Sequence, residues 1–292
     1  MSLSKNKILI TGSNGLLGQA LRRGISKKKS IIIATGKGSD KMRSNDHKYL
    51  KMDIDSSEDC LKVLEKYQPN IIINAAALTA VDECELNRVK CLNINSNSLL
   101  NLIPYCYKEN AHLIHMSTDF VFDGEKGFYS EEDRCQPVNY YGYSKYESEK
   151  LIINKKINFT IIRTSLVYDV DSDINNFFYR IKDGLKNGLK LNIVNDQYRT
   201  PTFVYDLVEA ISTVIENKKY GTYHISSGER LSIYQIVCNI AKYYGYNLDL
   251  INCIDSKELN QIAKRPIDSS LLIDKAIKEL DFKPTRLSNL IK

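Results

Sequence analysis

The chain has 292 residues, of which 43% are hydrophobic and 26% charged, with a formal net charge of +6. These values are ordinary for a globular protein with a large core, and the length permits one large domain or two unequal ones. The lysines are scattered, and the main run, residues 27–29, is expected to be a solvated loop, so no nucleic-acid partner is predicted. An anionic small-molecule ligand would suit the charge.

Cysteine spacing and hydropathy argue against a disulfide-bonded, metal-binding or membrane-spanning protein. The seven cysteines form no Cys-x-x-Cys pair and no cluster with the four histidines, so we expect reduced thiols and no metal site. We expect no signal peptide, and no apolar run approaches the ~20 residues needed to span a bilayer. The sequence therefore predicts a cytoplasmic protein that does not insert into membranes.

The chain begins with a strand, a glycine turn and a helix. Residues 8–10 are apolar, and Gly12, Gly15 and Gly18 follow at three-residue spacing. Such glycines allow a tight turn and a close approach of the backbone to a pyrophosphate, which the helix N-terminus faces. The pattern favours dinucleotide binding over a plain turn.

The second predicted strand, residues 30–34, is followed by basic residues. Many NAD-binding folds have an acidic residue at the end of this strand, whereas this chain has Lys37, with Lys41 and Arg43 close behind. A basic residue accommodates the extra phosphate of NADP, so NADP(H) is preferred and NAD(H) stays open. The alternative is a set of lysines in an exposed loop.

Three further strands are predicted at residues 70–74, 111–118 and 159–163. The first ends in three alanines, whose small side chains leave room for a ligand, and the second ends at Thr118. Ligands of open α/β sheets bind at the carboxyl ends of the strands. A helix from Ser56 or Ser57 to Tyr67 and a mostly helical stretch at 81–108 connect these strands. His112 and His115 are interpreted as structural.

Tyr141 and Lys145 lie in a helix predicted to extend to about residue 154. Because they are four residues apart, a helix places both on one face. A nearby cation favours the ionised phenol and lowers its pKa from ~10, which suits proton exchange. Taken alone, the pair also fits a solvated helix face, since the chain has 19 tyrosines.

The alternation of strands and helices loosens beyond Arg163. We predict helices at 171–189, 203–217 and 232–244, strands at 190–194 and 221–225, a polar loop at 196–202 and a polar tail. The predicted fold is α/β, a Rossmann doubly wound parallel sheet with a smaller, interleaved C-terminal α/β substrate lobe. The Rossmann domain is assigned to residues 1–165 with a contribution from about 196–225, and the lobe mainly to 166–292.

Together the motifs resemble those of extended short-chain dehydrogenases/reductases, and within them the dTDP-4-dehydrorhamnose reductase family. The resemblance runs nearly end to end and depends on the order and spacing of the motifs. They are Thr11-Gly12-x-x-Gly15-x-x-Gly18, Asn74-Ala75-Ala76-Ala77-x-Thr79-Ala80-Val81-Asp82, Ser117-Thr118-Asp119-Phe120-Val121-Phe122-Asp123-Gly124, Tyr141-Gly142-x-Ser144-Lys145, Asp196-Gln197-Tyr198 with Pro201-Thr202, and Arg265-Pro266.

The resemblance implies a role for each matching residue. Tyr141 would protonate a carbonyl oxygen as hydride arrives from NAD(P)H, Lys145 would lower the pKa of Tyr141 and hold the nicotinamide ribose, and Thr118 would hydrogen-bond the same oxygen. The residues expected to bind the cofactor are Gly12, Asn14, Gly15, Leu16, Gly18, Lys37, Asp53, Ile54, Ala76, Ala77, Thr79, Tyr141 and Lys145. Those expected to bind the nucleotide-sugar substrate are Val81, Thr118, Phe120, Asn176, Gln197, Arg199 and Arg265. For the two arginines, the alternative is a surface or structural ion pair.

Three positions depart from the family pattern. Phe120 and Leu166 stand where the family usually has Tyr and Trp at the sugar, and Ala20 stands where it has a glutamate ligand of a magnesium-bridged dimer. The identity of the hexose is therefore open, and a homodimer, if formed, is not predicted to depend on magnesium.

The expected function is NADPH-dependent reduction of the 4-keto group of a nucleotide-linked 4-keto-6-deoxy sugar, in the synthesis of cell-surface polysaccharide precursors. The alternatives are a reductase, epimerase or dehydratase acting on a different sugar nucleotide, and a non-catalytic NADP-binding subunit like the regulatory subunit of methionine adenosyltransferase.

Overall fold

The computed structural model describes residues 5–26, 29–42 and 48–290. Residues 27 and 28 of the predicted lysine loop, and Arg43, lie outside these ranges. All seven cysteines lie inside them and are free thiols. In the described ranges no helix combines the length and the apolar character needed to cross a membrane.

A parallel sheet forms the centre of the fold. The strands are β1 (Asn6–Thr11), β2 (Ser30–Gly36), β3 (Lys48–Lys51), β4 (Ile71–Asn74), β5 (His112–Thr118), β6 (Phe159–Thr164), β7 (Val167–Tyr168), β8 (Leu191–Val194), β9 (Tyr198–Arg199), β10 (Thr202–Phe203), β11 (Gly221–His224), β12 (Leu231–Ser232) and β13 (Ile251–Ile254). Seven of those described form one sheet in the order β11-β6-β5-β4-β1-β2-β3, and the others pair two by two. All neighbours in the large sheet are parallel, so their carboxyl ends share one edge.

The helices cover both faces of this sheet. They are α1 (Leu16–Gly24), α2 (Ser57–Tyr67), α3 (Val81–Leu86), α4 (Arg88–Asn95), α5 (Ile103–Glu109), α6 (Tyr140–Ile153), α7 (Phe177–Lys186), α8 (Val204–Glu216), α9 (Ile233–Tyr244), α10 (Asp274–Leu280) and α11 (Leu287–Leu290), with short 3-10 turns at Asn97–Asn101, Asp119–Val121, Leu248–Leu250 and Ser256–Glu258. One apolar core lies between the sheet and α1, α8 and α10, and a second between the sheet and α2, α5 and α6. A third core forms around α7 and α9.

Side-chain caps explain where several helices begin. Ser56 accepts a hydrogen bond from the Asp59 amide at 3.2 Å, which starts α2 where the sequence predicts it. Asn139 caps α6 by accepting from the Gly142 amide at 2.9 Å. Ser232 and Gln235 form a reciprocal capping box at the start of α9. The α6 cap fixes the helix start one residue before Tyr141.

Three predictions about the elements were wrong. The fold contains β3, which the sequence analysis missed because Lys48–Lys51 is short, polar and paired only with β2 at the sheet edge. The helix predicted at 171–189 begins only at Phe177, because Asn176 caps it. The predicted loop at 196–202 contains all of β9 and the first residue of β10.

The predicted polar tail is also wrong, because its end is part of the main core. Ile273, Ala276, Leu280 and Phe282 are buried in the cluster that contains α1 and α8. Asp206 on α8 accepts hydrogen bonds from the Thr285 amide at 2.6 Å and from its hydroxyl at 2.8 Å. The C-terminal segment therefore returns to the half of the molecule that holds the glycine turn. The domain boundaries stay a prediction.

Candidate active site

The glycine turn between β1 and α1 has the geometry of an anion-binding cradle. Gly12 has φ +63°, and a Cβ there would lie 2.7 Å from the Ala75 carbonyl oxygen, so only glycine fits. Gly15 begins α1 without a side-chain cap, and the Ser13 hydroxyl is buried with no hydrogen-bond partner among the described residues. Free amides and an unpaired hydroxyl at a helix N-terminus suit a pyrophosphate.

Asn14 organises the loop that follows β2. Its amide nitrogen donates to the Ser39 carbonyl and the Tyr49 hydroxyl, both at 2.9 Å, and its oxygen accepts from the Lys41 amide at 3.0 Å. Arg22 supports the same loop through a bidentate pair with Asp40, with both distances 2.7 Å. In this structure the Asn14 side chain thus shapes the loop beside the glycine turn, and its direct contact with cofactor stays a prediction.

Lys37 and Asp53 form an ion pair at the same edge, with 2.9 Å between Nζ and the carboxylate. Burial opposes ionisation of Asp53, but the hydrogen bond from Lys37 lowers its pKa below the usual value. Both side chains are partly exposed, so the pair is accessible to a ligand. Ile54, next in the chain, is buried in the second core.

The loop after β4 is held by Asn95, which the sequence analysis did not assign to the site. Its side chain accepts from the Leu78 amide at 2.7 Å and donates to the Leu78 carbonyl at 3.0 Å. It also donates to the Ser144 hydroxyl on α6 at 2.9 Å. Asn95 therefore fixes the position of Ala76, Ala77 and Thr79 relative to the helix that carries Tyr141. Its position in a helical stretch gave no sequence signal of this role.

Thr118 and Tyr141 come together because α6 packs closely on the turn after β5. A Cβ on Gly142 would lie 2.0 Å from the Phe120 carbonyl oxygen, so the residue after Tyr141 must be glycine for this packing. Tyr141 lies close enough to Thr118 for the threonine hydroxyl to lower the pKa of the phenol. Lys145 lies one turn further along α6 and is only 2% exposed.

The pKa values of Tyr141 and Lys145 differ from the expectation that the Tyr141 pKa is lowered. Burial raises the pKa of Tyr141 above its usual value, and the nearby Thr118 hydroxyl only partly offsets this. Burial also lowers the pKa of Lys145 itself to about 8. In the protein without cofactor the pKa of Tyr141 is therefore raised rather than lowered, and a lowering contribution from Lys145 stays a prediction. A neutral phenol is the form that can donate a proton.

Asp119 anchors the turn that carries Thr118. It is buried and accepts hydrogen bonds from Thr118 at 3.1 Å and Ser165 at 2.9 Å, as well as from Ser269. The Arg199 guanidinium lies 3.8 Å from its carboxylate. Burial raises the pKa of Asp119, whereas Arg199 and these hydroxyl groups lower it.

The two predicted substrate arginines both have partners within the protein. Arg199 is 3% exposed, donates to the Pro266 carbonyl at 2.9 Å, and lies 5.0 Å from the Phe120 ring centroid. Arg265 forms a bidentate pair with Asp82 at 2.5 and 2.9 Å. In this structure both arginines form ion pairs within the protein, Arg199 with Asp119 and Arg265 with Asp82. Their contact with substrate stays a prediction.

The remaining predicted substrate residues are Val81, Gln197 and Asn176. Val81 is the first residue of α3, and Gln197 is buried with its amide 3.4 Å from Gln261. Asn176 caps α7 with its oxygen, and its amide nitrogen is buried with no partner among the described residues, so it can donate to a ligand. Leu166 adopts φ +41°, a strained conformation for a bulky residue and one often found at functional sites.

The chain matches the family model described as RmlD substrate binding domain over residues 6–292. The chain belongs to this family. It is 30% identical to the dTDP-4-dehydrorhamnose reductase of Aggregatibacter actinomycetemcomitans over 298 aligned residues, which cover 98% of this chain and 97% of the relative. The predicted family resemblance and the assignment as an oxidoreductase are confirmed.

Solved structures share the fold. A dTDP-4-dehydrorhamnose reductase from Bacillus anthracis, solved in complex with NADP, superposes with a TM-score of 0.87 at 28% identity and 98% coverage of both chains. This confirms the α/β fold and supports the predicted preference for NADP(H). The beta subunit of methionine adenosyltransferase 2 from Rattus norvegicus is also similar, 27% identical over 91% of this chain and 78% of that protein.

Proposed function

We propose that the protein reduces the 4-keto group of a nucleotide-linked 4-keto-6-deoxy sugar with NADPH. The leading substrate is dTDP-4-dehydro-L-rhamnose, which would give dTDP-L-rhamnose for cell-surface polysaccharide synthesis. The observation that carries the proposal is that Thr118 and Tyr141 lie together at the sheet edge where the glycine turn opens, with Lys145 one turn from Tyr141 on α6. Membership of a keto-sugar reductase family supports it.

When bound, NADPH supplies the hydride that goes to the carbonyl carbon. Tyr141, neutral because its hydroxyl is buried, gives its proton to the carbonyl oxygen, so the ketone becomes an alcohol. The Thr118 hydroxyl, which donates to Asp119 at 3.1 Å in this structure, would turn its proton to this oxygen and stabilise the negative charge that develops there. The residues that would hold the cofactor are the glycine turn, the loop at 75–79, Lys37 and Lys145.

Substrate selection is assigned to Phe120, Leu166 and Asn176. The apolar side chains of Phe120 and Leu166 suit the methyl group of a 6-deoxy sugar, since neither has a polar group to leave unpaired. The unpaired Asn176 amide supplies a hydrogen-bond donor for a hydroxyl or phosphate oxygen.

The test is NADPH oxidation, followed at the nicotinamide absorbance band, with dTDP-4-keto-6-deoxy-L-lyxo-hexose and a panel of related keto-sugar nucleotides. We expect stoichiometric oxidation with at least one of them. An epimerase or dehydratase would convert sugar nucleotides without net NADPH oxidation. A folded, NADPH-binding protein that oxidises NADPH with none of the panel, and that co-purifies with a stoichiometric synthetase, would support the regulatory-subunit alternative instead.

A further inference from the structure

His115 is buried beneath the catalytic helix and has no part in the reaction described above. Its Nε2 lies 3.0 Å from the Lys145 Nζ and 2.9 Å from the Ser148 hydroxyl. Both His115 and Ser148 are fully buried. The imidazole is therefore a direct neighbour of the lysine that the site places at the cofactor.

A row of residues across the sheet determines which ring nitrogen of His115 carries the proton. The strand register sets Thr11 on β1 opposite Asn74 on β4, and Asn74 opposite His115 on β5. The Ala76 amide donates to the Thr11 hydroxyl at 3.2 Å, so the hydroxyl proton is free to go to the Asn74 oxygen, 2.6 Å away. Asn74 then presents its amide nitrogen to His115 Nδ1 at 3.1 Å. An amide nitrogen only donates, so Nδ1 must accept.

The neutral imidazole consequently carries its proton on Nε2. Burial, together with the nearby Lys145, holds the pKa of His115 well below its usual value, which keeps the ring neutral. Ser148 donates its own proton to the Lys145 carbonyl at 2.5 Å and can accept from the Nε2–H. Each hydrogen bond in this row is therefore donated in the same direction, from the Ala76 amide at one end to the Lys145 carbonyl of α6 at the other.

The direction of these hydrogen bonds determines which group of His115 faces the Lys145 side chain. A lysine ammonium has three donors and no acceptor, and the edge of His115 that faces it is an N–H. Glu149 on α6 and Cys91 on α4 favour the ammonium electrostatically, but the Glu149 carboxylate is bonded to Arg163 at 2.7 Å and to Ser117 at 2.5 Å. Tyr141, one turn earlier on α6, is neutral. In the protein without cofactor, the ammonium gains no hydrogen bond from His115.

We propose that His115 is a positioning residue for Lys145: in the free protein its Nε2–H, 3.0 Å from Nζ, favours the uncharged amine over the ammonium, whereas the ribose hydroxyls of the cofactor supply acceptors for the ammonium, so that cofactor binding takes up a proton. The inference rests on the proposed function in one respect, that the nicotinamide ribose meets Lys145. The chemistry that His115 serves is thus the coupling of cofactor binding to the charge of the catalytic lysine.

The test is calorimetric titration of the full-length protein with NADPH at pH 8.5, in buffers of different ionisation enthalpy and without a keto substrate. The 2′-phosphate, with a second pKa near ~6, is fully ionised at this pH and contributes no proton. We expect the wild-type protein to take up about half a proton or more per NADPH bound. In His115→Gln a carbonyl oxygen can accept from the ammonium in the free protein, so we expect at least a twofold smaller uptake.

Two further variants separate this role from a structural one. His112→Gln is the matched control, because His112 is buried on the same strand but its ring bonds the Thr160 hydroxyl at 2.8 Å; its proton uptake should equal that of the wild type. Thr11→Val, similar in shape, removes the proton that orients Asn74 and should reduce the uptake as His115→Gln does. It keeps the test decisive if His115→Gln does not fold.

Nitrogen-15 NMR of the imidazole ring should show the proton on Nε2 in the wild-type protein. A ring protonated on Nδ1, or wild-type proton uptake in both His115→Gln and Thr11→Val, would overturn the inference while leaving keto-sugar reduction intact, since no substrate is present. Failure of the wild-type protein to bind NADPH at all would instead count against the proposed function.

Discussion

The Phe120 ring meets the Tyr141 ring edge-on, with centroids 6.0 Å apart and planes inclined at 72°. Because the ring limits where the phenol can lie, we expect Phe120→Ala to reduce kcat/KM by about tenfold or more through misplacement of the proton donor. Phe120→Tyr keeps the ring and should retain turnover within a few fold. Steady-state NADPH oxidation measures both, and equal rates for Phe120→Ala and the wild type would contradict this role.

Tyr141→Phe removes the proton donor and leaves the ring in place. Loss of a general acid typically costs 10²–10⁴-fold, so we expect kcat to fall by about that factor, with NADPH affinity within a few fold of the wild type. Tyr140→Phe is the matched control, since Tyr140 packs against Arg88 and Tyr143. Fluorescence titration with NADPH gives the affinity. Loss of cofactor binding in Tyr141→Phe would mean that the phenol holds the cofactor.

Lys145 should destabilise the protein without cofactor at neutral pH. Burial lowers its pKa from 10.5 in the unfolded chain to about 8, so the penalty is complete below pH 8 and disappears as pH rises to 10.5. Lys145→Met should therefore raise the free energy of unfolding by about 3 kcal/mol at pH 7 and by only about 1 kcal/mol at pH 9.5. Urea unfolding at both pH values measures this difference.

The control for that measurement is Lys150→Met, which removes an exposed lysine from the same helix. Its effect on unfolding should be small, because an exposed pair contributes little. A gain from Lys145→Met that is the same at pH 7 and pH 9.5 would show that the buried charge is not its cause.

The role of Arg199 can be tested, because a structural role and a substrate-binding role predict different effects of its removal. Its removal leaves the buried Asp119 carboxylate without its cation, so Arg199→Met should lower the free energy of unfolding by about 3–5 kcal/mol. The double variant Arg199→Met/Asp119→Asn should recover much of this loss, as measured by denaturant unfolding. Wild-type stability in Arg199→Met, combined with a large rise in KM for the sugar nucleotide, would favour the role implied by the family resemblance.

Much of the site could be predicted because local sequence determines it. Glycine spacing after the first strand, Thr118 at a strand end and the four-residue separation of Tyr141 and Lys145 are all short-range patterns, and the structure brings them to one edge. The β3 strand was missed because four residues alternating weakly at a sheet edge carry little periodic signal.

Long-range pairing accounts for the other differences. Arg265 meets Asp82 across 183 residues, and Arg199 meets Asp119 across 80, so their ionic partners are set by the tertiary fold rather than by neighbours in sequence. The pKa of Tyr141 follows the same rule, because burial outweighs a lysine one helical turn away. A motif indicates which groups are close, whereas depth in the fold decides which charges they carry.

The return of α10 to the core against α1 and α8 has a consequence for how the protein is made. During translation, strands β1 to β6 leave the ribosome more than a hundred residues before Ile273, Ala276, Leu280 and Phe282 emerge. The apolar surface that these four side chains cover must stay open until residues 273–282 have been synthesised. The half of the molecule that holds the glycine turn therefore cannot finish folding from residues 1–164 alone, and its core closes only after this later segment has emerged.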